Sequence, residues 1–190
     1  MKQRPSMLFA FLLISAVIMS GLVLPAQDNS STNPANVGSR VRSMVELGSV
    51  YSNIYDIAIT VMETFRGDEA LARLKAASPD NEAPAQGFEY ILARIKFELK
   101  GRYVSDNLQF DLGNAPLMWV ALSSDLIEYP RVSLTVPQPS LTGIVKPGTS
   151  VEGWVAFSVD KNDKAPIMVF DPDTGGATGR GRTLFFKLYK

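Results

Sequence analysis

The chain has 190 residues, 46% of them hydrophobic and 20% charged, and its formal net charge is zero. These values predict one globular domain, and they exclude a wholly disordered chain and a strongly basic nucleic-acid binder. Cysteine and histidine are both absent, so the sequence lacks a disulfide framework, a thiolate nucleophile, and the commonest general base and metal ligand. We therefore expect a protein that is not an enzyme and that carries no cofactor.

The first 26 residues have the organisation of a secretory signal peptide. Lys2 and Arg4 precede an apolar run over residues 7–24, and the small residue Ala26 follows Pro25. A run of this length, within roughly 17–25 residues, is also long enough to span a bilayer as an uncleaved anchor. Both alternatives predict an exported protein, located outside the cell, in the periplasm or on the outer face of a membrane. Membrane contact is expected only through this segment, if it is uncleaved.

The next stretch, residues 27–40, reads QDNSSTNPANVGSR and is poor in large apolar residues. Such a composition predicts a flexible linker. The folded domain is then expected to occupy residues 41–190.

Apolar and polar residues alternate with a period of two over much of the domain. The clearest alternation runs over residues 91–99, where charged residues separate the apolar ones and predict a strand with one buried face. The same pattern predicts strands over residues 57–61, 132–136, 151–159 and 184–188. Pro147-Gly148 has the residue order of a type II turn and predicts a hairpin between two apolar runs. Short strands at intervals of roughly ten residues favour an antiparallel β-sandwich.

One segment has helical rather than strand character. Asp68 and Glu69 follow Gly67, and an alanine- and leucine-rich run with Lys75 near its end comes next. Acidic residues in the first turn and a basic residue in the last favour a helix. We predict a short helix that is inserted between two strands and ends before Pro79.

Several short motifs follow one another in an order that carries a resemblance. They are Gly48, the strand over 57–63, PAQGFEYI over 84–91, LQFDL over 108–112, KPG over 146–148 and EGWVAF over 152–157. Over residues 48–188 the chain resembles the bacterial and archaeal exported domains of unknown function called DUF4352. The resemblance implies an immunoglobulin-like, MPT63-like β-sandwich and an exported location, but it implies no reaction. Where similar domains often have a polar loop with asparagine, Lys100-Gly101-Arg102 stands here.

A turn near the C-terminus contains alternating carboxylates. Asp171 and Asp173 are followed by glycines, as in part of a calcium loop, and Asp160 or Asp163 from another loop would add further ligands. A complete loop of that kind ends on a glutamate, whereas Arg182 stands at the corresponding position. The sequence therefore leaves two alternatives, a weak calcium site at Asp171 and Asp173 or a turn that holds no metal.

Arg180 and Arg182 are candidates for contact with a partner. They lie in a glycine-rich stretch over 175–182 that lacks the lysine ending of a phosphate-binding loop. A flexible loop is one interpretation, and contact of the two arginines with an anionic ligand or surface polymer is the other.

Trp154 is the third candidate for partner binding. Strict alternation places it on the opposite face of its strand from Val155, and so away from the core. Exposed there, with Trp119 or Tyr129 nearby, it would suit a carbohydrate or protein partner. The alternatives are that a bulge at Gly153 turns it inward, or that a loop or the short helix covers it.

Two classes of function are compatible with these features. The first is an exported non-enzymatic binding or protein-interaction domain of the cell envelope or exterior, whose partner is a protein or an envelope polymer. The alternative is a membrane-anchored structural or assembly subunit that packs through its β-sandwich. An exposed apolar patch and a retained N-terminal helix would favour the alternative.

Overall fold

The structure, a computed structural model, describes residues 28–47, 53–101, 109–112, 119–172 and 179–190. The strands in these ranges are β1 (Arg40–Leu47), β2 (Asn53–Arg66), β3 (Phe88–Gly101), β4 (Phe110–Asp111), β5 (Trp119–Leu122), β6 (Ile144–Val145), β7 (Thr149–Asp160), β8 (Ile167–Phe170), β9 (Gly179–Gly181) and β10 (Leu184–Lys187). One helix, α1 (Asp68–Ala77), joins β2 to β3. No helix in the described ranges combines the length and hydropathy needed to cross a bilayer. The predicted leader, residues 1–26, lies outside the described residues.

The strands form three antiparallel sheets. The largest has the order β7-β3-β2-β1-β9, a second has the order β10-β8-β5, and β4 pairs with β6 in a two-stranded sheet. Apolar residues from all three sheets form one buried cluster, which we call the main core. The prediction of an all-β sandwich-like fold with one short inserted helix is confirmed.

The strand predicted over residues 91–99 is β3, an interior strand of the large sheet. It pairs with β2 on one side and with β7 on the other. Ile95 and Phe97 are fully buried in the main core, while Lys96 lies on the opposite face and is only partly buried. The period-two pattern therefore identified both the strand and its buried face.

A β-bulge in β2 changes which residues face the main core. Val61 pairs with Ile95, but the next pair is Glu63 with Arg94, so Met62 is an extra residue in β2. Because side chains alternate along a strand, the extra residue places Phe65 on the face away from the main core. The bulge thereby allows β2 to contribute to a second apolar cluster.

This second cluster lies on the outer face of the large sheet, under α1. Ala70 and Leu74 of the helix are fully buried against Tyr90 and Leu92 of β3. The partly buried apolar residues that pack around them are Phe65, Leu71, Val132, Leu134, Val136, Trp154 and Ala156. The short helix therefore covers the sheet rather than projecting from it.

The prediction of a strand over residues 132–136 is wrong. The side chains alternate between partly buried and exposed positions as expected, but the segment belongs to no sheet. Its main chain is held at Thr135 by the buried side chain of Asn81, which donates to the Thr135 carbonyl at 2.7 Å and accepts from its N–H at 2.8 Å. The same amide donates to the Leu74 carbonyl at the end of α1, at 2.6 Å. Alternation here reflects contact with the second cluster and not strand pairing.

The turn at Pro147-Gly148 is confirmed, but the hairpin is not. Thr149 N–H donates to the Lys146 carbonyl at 3.1 Å, and Gly148 has a positive φ of 84°, which a type II turn requires at that position. The strands on either side of the turn do not pair with each other. Instead, β6 pairs with β4, and β7 pairs with β3.

The described part of the predicted flexible linker, residues 28–40, packs against the domain, so the linker prediction is wrong there. Asn29 is 4% exposed, and its amide exchanges two hydrogen bonds with the main chain of Phe185, at 2.7 and 2.9 Å. Ala35 is buried in the main core and forms a parallel bridge with Phe186 of β10. Polar composition suggested disorder, but here the polar side chains pair with a sheet edge.

Replacing Asn81 by alanine tests the role of its amide. The Asn81→Ala variant leaves the Thr135 N–H and carbonyl without their partner, and the Leu74 carbonyl keeps only its hydrogen bond from the Ser78 N–H. We expect the free energy of unfolding to fall by about 2–4 kcal/mol, as buried main-chain groups lose hydrogen bonds. Urea unfolding measures the change, and Asn162→Ala, at an exposed turn position, is the matched control. Equal stability of the two variants would contradict this role.

Candidate functional site

Residues 129–142, which we call the arc, run around the free edge of β7. At its start, Tyr129 N–H donates to the Ala121 carbonyl of β5 at 2.9 Å. The middle of the arc covers the second cluster through Val132, Leu134 and Val136. Near its end, Leu141 is buried in the main core. The arc therefore connects β5 with the outer face of the large sheet and returns to the core.

A cleft of about 170 Å³ lies between the arc, β5 and β7. Apolar residues dominate its lining: Trp119 and Ala121 of β5, Trp154, Val155, Ala156 and Phe157 of β7, and Tyr129, Val132, Leu134, Val136 and Leu141 of the arc. Ser140, Thr142 and Ser158 add hydroxyl groups. An apolar cleft of this size accommodates a group as large as a benzene ring or one aliphatic side chain.

Trp119 lines the cleft and has a buried, unsatisfied indole N–H. Its ring packs against Phe170 in a tilted arrangement with a centroid separation of 4.7 Å and contacts Phe97 edge-on at 6.4 Å. The residue is 3% exposed, and its Nε1 is buried without a hydrogen-bond partner among the described residues. A buried indole N–H usually finds an acceptor, because leaving it unpaired costs free energy.

Trp154 lies on the outer face of β7, as alternation predicted. Its side chain is partly buried there, because it packs with the arc in the second cluster. It packs on Phe65 with a centroid separation of 5.7 Å, and the Phe65 ring is in turn covered by the Arg73 guanidinium at 3.5 Å. The pairing of β7 with β3 is regular through Gly153, so no bulge turns Trp154 inward. Of the alternatives for this residue, cover by a loop is the one observed.

The edge of β7 that faces the arc is only partly paired. Trp154 N–H donates to the Pro139 carbonyl at 2.9 Å, and Leu141 N–H donates to the Trp154 carbonyl at 3.1 Å. Because alternate residues of an antiparallel strand direct their main-chain groups to the same edge, those of Ala156 and Ser158 point the same way as those of Trp154. No main-chain hydrogen bond from the described residues reaches them on that edge. The cleft therefore contains main-chain donors and acceptors beside apolar walls.

One end of the arc is fixed by a hydrogen bond between Tyr129 and Asp163. The Tyr129 hydroxyl donates to Asp163 Oδ2 at 2.8 Å. Burial, and then this bond to a carboxylate, raise the pKa of Tyr129 to about 12. Burial acts to raise the pKa of Asp163 as well, but the hydrogen bonds from Ala165, Tyr129 and Ser124 outweigh it and hold the pKa below its usual value. Asp163 is thus a structural acceptor.

Of the residues predicted to form a calcium site, those that the structure describes form no metal centre. Asp173 lies outside the described residues, and Asp171 is partly buried. Asp160 accepts from the N–H of Asn162 within its own turn, and Asp163 is engaged as described above. In the described ranges no three acidic side chains lie close enough together to hold a metal ion.

The two candidate arginines lie away from the cleft, beside β1 and the N-terminal segment. Arg180 is exposed on β9 and pairs in register with Glu46. Arg182 donates to the Asn29 carbonyl and lies 3.5 Å from the Asp28 carboxylate. Arg182 therefore helps to fix the N-terminal segment, and neither arginine lines the cleft.

The structure brings together three aromatic residues that the sequence named, Trp154, Trp119 and Tyr129, around one cleft. Sequence reasoning missed Ser158, Ala156 and the arc, because an unpaired strand edge leaves no trace in an alternation pattern. The arrangement offers apolar contact and hydrogen bonds, which suits binding. Comparison with models of protein families, with curated proteins and with solved structures found no match.

Gly153 allows the arc to approach β7, and its replacement tests that contact. A Cβ added at Gly153 would lie 2.6 Å from Leu141 Cα and still closer to the Leu141 nitrogen. We expect Gly153→Ala to displace the end of the arc and to lower the free energy of unfolding by roughly 1–3 kcal/mol. Urea unfolding measures the change in the free energy of unfolding, and the fluorescence of Trp154 measures the displacement of the arc beside it. Ser150→Ala, on the same strand, is the control, and a wild-type unfolding curve for Gly153→Ala would contradict the close approach.

The raised pKa of Tyr129 predicts how stability depends on pH. The folded pKa of about 12 exceeds the usual value of 10, so the stabilisation is complete below pH 10 and is lost as the pH rises toward 12. Tyr129→Phe lacks the bond at every pH. We expect the variant to be less stable than wild type at pH 8 and the difference to close by pH 12, as measured by urea unfolding. Tyr189→Phe controls for general alkaline effects, and a difference that stays constant with pH would refute the assignment.

Proposed function

We propose that the protein is an exported, non-enzymatic binding domain of the cell envelope or exterior, and that the cleft between β5 and β7 receives an apolar group of its partner. The observation that supports this most directly is the apolar cleft of about 170 Å³, which Trp119, Trp154 and Tyr129 line together. Export is proposed from the signal-like residues 1–26. Kinship with the DUF4352 domains is proposed from the motif order alone.

The apolar lining and the hydroxyl groups beside it define the ligand chemistry. Burial of an aromatic or aliphatic group between Trp154 and Leu134 removes apolar surface from water. A carbonyl beside that group would accept from a hydroxyl of the cleft lining, such as that of Ser140, and such a bond contributes about 0.5–1.5 kcal/mol, or two- to tenfold in affinity. The cleft thus favours an apolar group that carries an acceptor over one that does not.

Two probes of nearly the same shape test this function. Acetophenone has a benzene ring with a carbonyl, and ethylbenzene lacks the carbonyl. We expect both to change the indole NMR signals of Trp119 and Trp154 saturably in the ¹⁵N-labelled protein, with acetophenone binding two- to tenfold more tightly. Ala156→Leu, which fills the cleft, is expected to abolish binding of both probes. Ala72→Leu, on the exposed side of α1, should bind them as wild type does. Absence of a saturable change with either probe would contradict the proposal.

A second candidate is a membrane-anchored assembly subunit, and exposed apolar residues on the large sheet favour it. Met44 of β1 and Ile54 of β2 are 53% and 46% exposed. They are diagonal neighbours on the outer face, because Met44 pairs with Asp56 and Ile54 with Glu46. Contact between copies of the chain would cover them.

Intact mass of the protein recovered from expressing cells separates the two candidates. The binding-domain proposal expects a soluble exported form that begins near Gln27. A full-length chain confined to the membrane fraction would instead favour the anchored subunit. In that case, proteins that co-purify with the membrane form would be the next subject of study.

A further inference from the structure

We infer that the partner group in the cleft belongs to an extended peptide, which pairs with the free edge of β7 at Ala156 and Ser158 and inserts one aliphatic side chain between Trp154 and Leu134. This inference rests on the proposed function, because it assigns a ligand class to the same cleft. It adds main-chain recognition to the apolar contact.

The first support is the unpaired edge of β7. Regular pairing with β3 continues from Thr149 to Asp160, so the opposite edge is fixed along its whole length. The main-chain groups of Ala156 and Ser158 on that edge lie along the cleft wall, and Ser158 is only 7% exposed. Main-chain groups that are removed from water normally have partners, and an added strand supplies both a donor and an acceptor.

The second support is that the arc already pairs with this edge of β7 at Trp154, two residues before Ala156. Ser140 forms a parallel bridge with Trp154, through hydrogen bonds at Pro139 and Leu141. The pairing ends there because Leu141 turns into the main core. An incoming peptide would continue from this bridge along the same edge.

The third support is the match between strand geometry and the cleft. Successive side chains of an extended peptide point to opposite sides, so pairing at the β7 edge directs every second side chain toward the cleft. The volume of about 170 Å³ suits one valine or leucine side chain.

N-methylated peptides distinguish main-chain pairing from simple apolar contact. The parent probe is Ac-Gly-Val-Leu-Val-Gly-NH₂. One analogue carries an N-methyl group at the central leucine, and the other carries N-methyl groups at both valines. Alternate amides of a strand face opposite edges, so only one analogue blocks the amides that pair with β7. We expect one analogue to bind as the parent does and the other at least tenfold more weakly, measured by ¹⁵N NMR titration of the full domain.

A protein variant tests the same contact from the other side. Ala156→Pro removes the N–H that faces the cleft without removing a hydrogen bond to β3, and proline is tolerated at strand edges. We expect it to weaken binding of the parent peptide at least tenfold, with Ser150→Pro on the same edge as the control that binds as wild type does. Circular dichroism verifies that both variants are folded. If Ala156→Pro is unfolded, the two methylated peptides on the wild-type protein decide the question.

The outcomes separate this inference from the proposed function. Loss of binding with one analogue only supports strand pairing at β7. Equal binding of all three peptides, or acetophenone binding with no peptide binding, would overturn the inference and leave the binding cleft standing. No binding of acetophenone or of any peptide would overturn both.

Discussion

Hydrogen bonding at the edges of the sheets is the constraint on which the rest of this structure depends. A sheet edge exposes a row of main-chain donors and acceptors that must be paired, covered or solvated. Here the edge of β10 is paired by Ala35 and by the Asn29 amide, and part of the β7 edge is paired by Pro139 and Leu141. Irregular segments, rather than further strands, therefore pair with the edges of β10 and β7. What they leave unpaired at β7 is the candidate site.

Asparagine suits this task because its amide carries the same donor and acceptor as a peptide group. Asn29 and Asn81 each exchange two hydrogen bonds with the main chain of one residue, Phe185 and Thr135 respectively. Each asparagine is 4% exposed, and its hydrogen bonds to the main chain are partly buried. In a sequence without cysteine, such side chains hold segments that lack a sheet of their own.

The sequence predicted the parts of the fold that depend on local pattern. Strand β3 and its buried face followed from the period of two, and α1 followed from its composition and charges. The pattern failed where a tertiary contact determined the outcome: Met62 adds a residue to β2 and moves Phe65 to the other face, and Asn81 holds residues 132–136 without a strand partner. Neither event has a signature in residue type, because a bulge and a side-chain bridge are fixed by distant partners.

The candidate site could be predicted only in its aromatic members. Trp154 was identified because alternation placed a large apolar side chain on the wrong face for the core, which is a physical anomaly visible in the sequence. The place of Trp119 in the cleft wall depends on its contacts with Phe97 and Phe170, and the role of Ser158 depends on a free edge. Both properties are visible only after β5, β7 and the arc have been placed in space.

The docked N-terminal segment has a mechanical consequence. Asn29 and Arg182 hold the chain beside β10 before it reaches β1. Tension transmitted through residue 28 would therefore act first on these hydrogen bonds and then on the parallel bridge of Ala35 with Phe186. The large sheet would bear load only after this segment had detached from β10. The hydrogen bonds of residues 29–38 would therefore break before those of the large sheet.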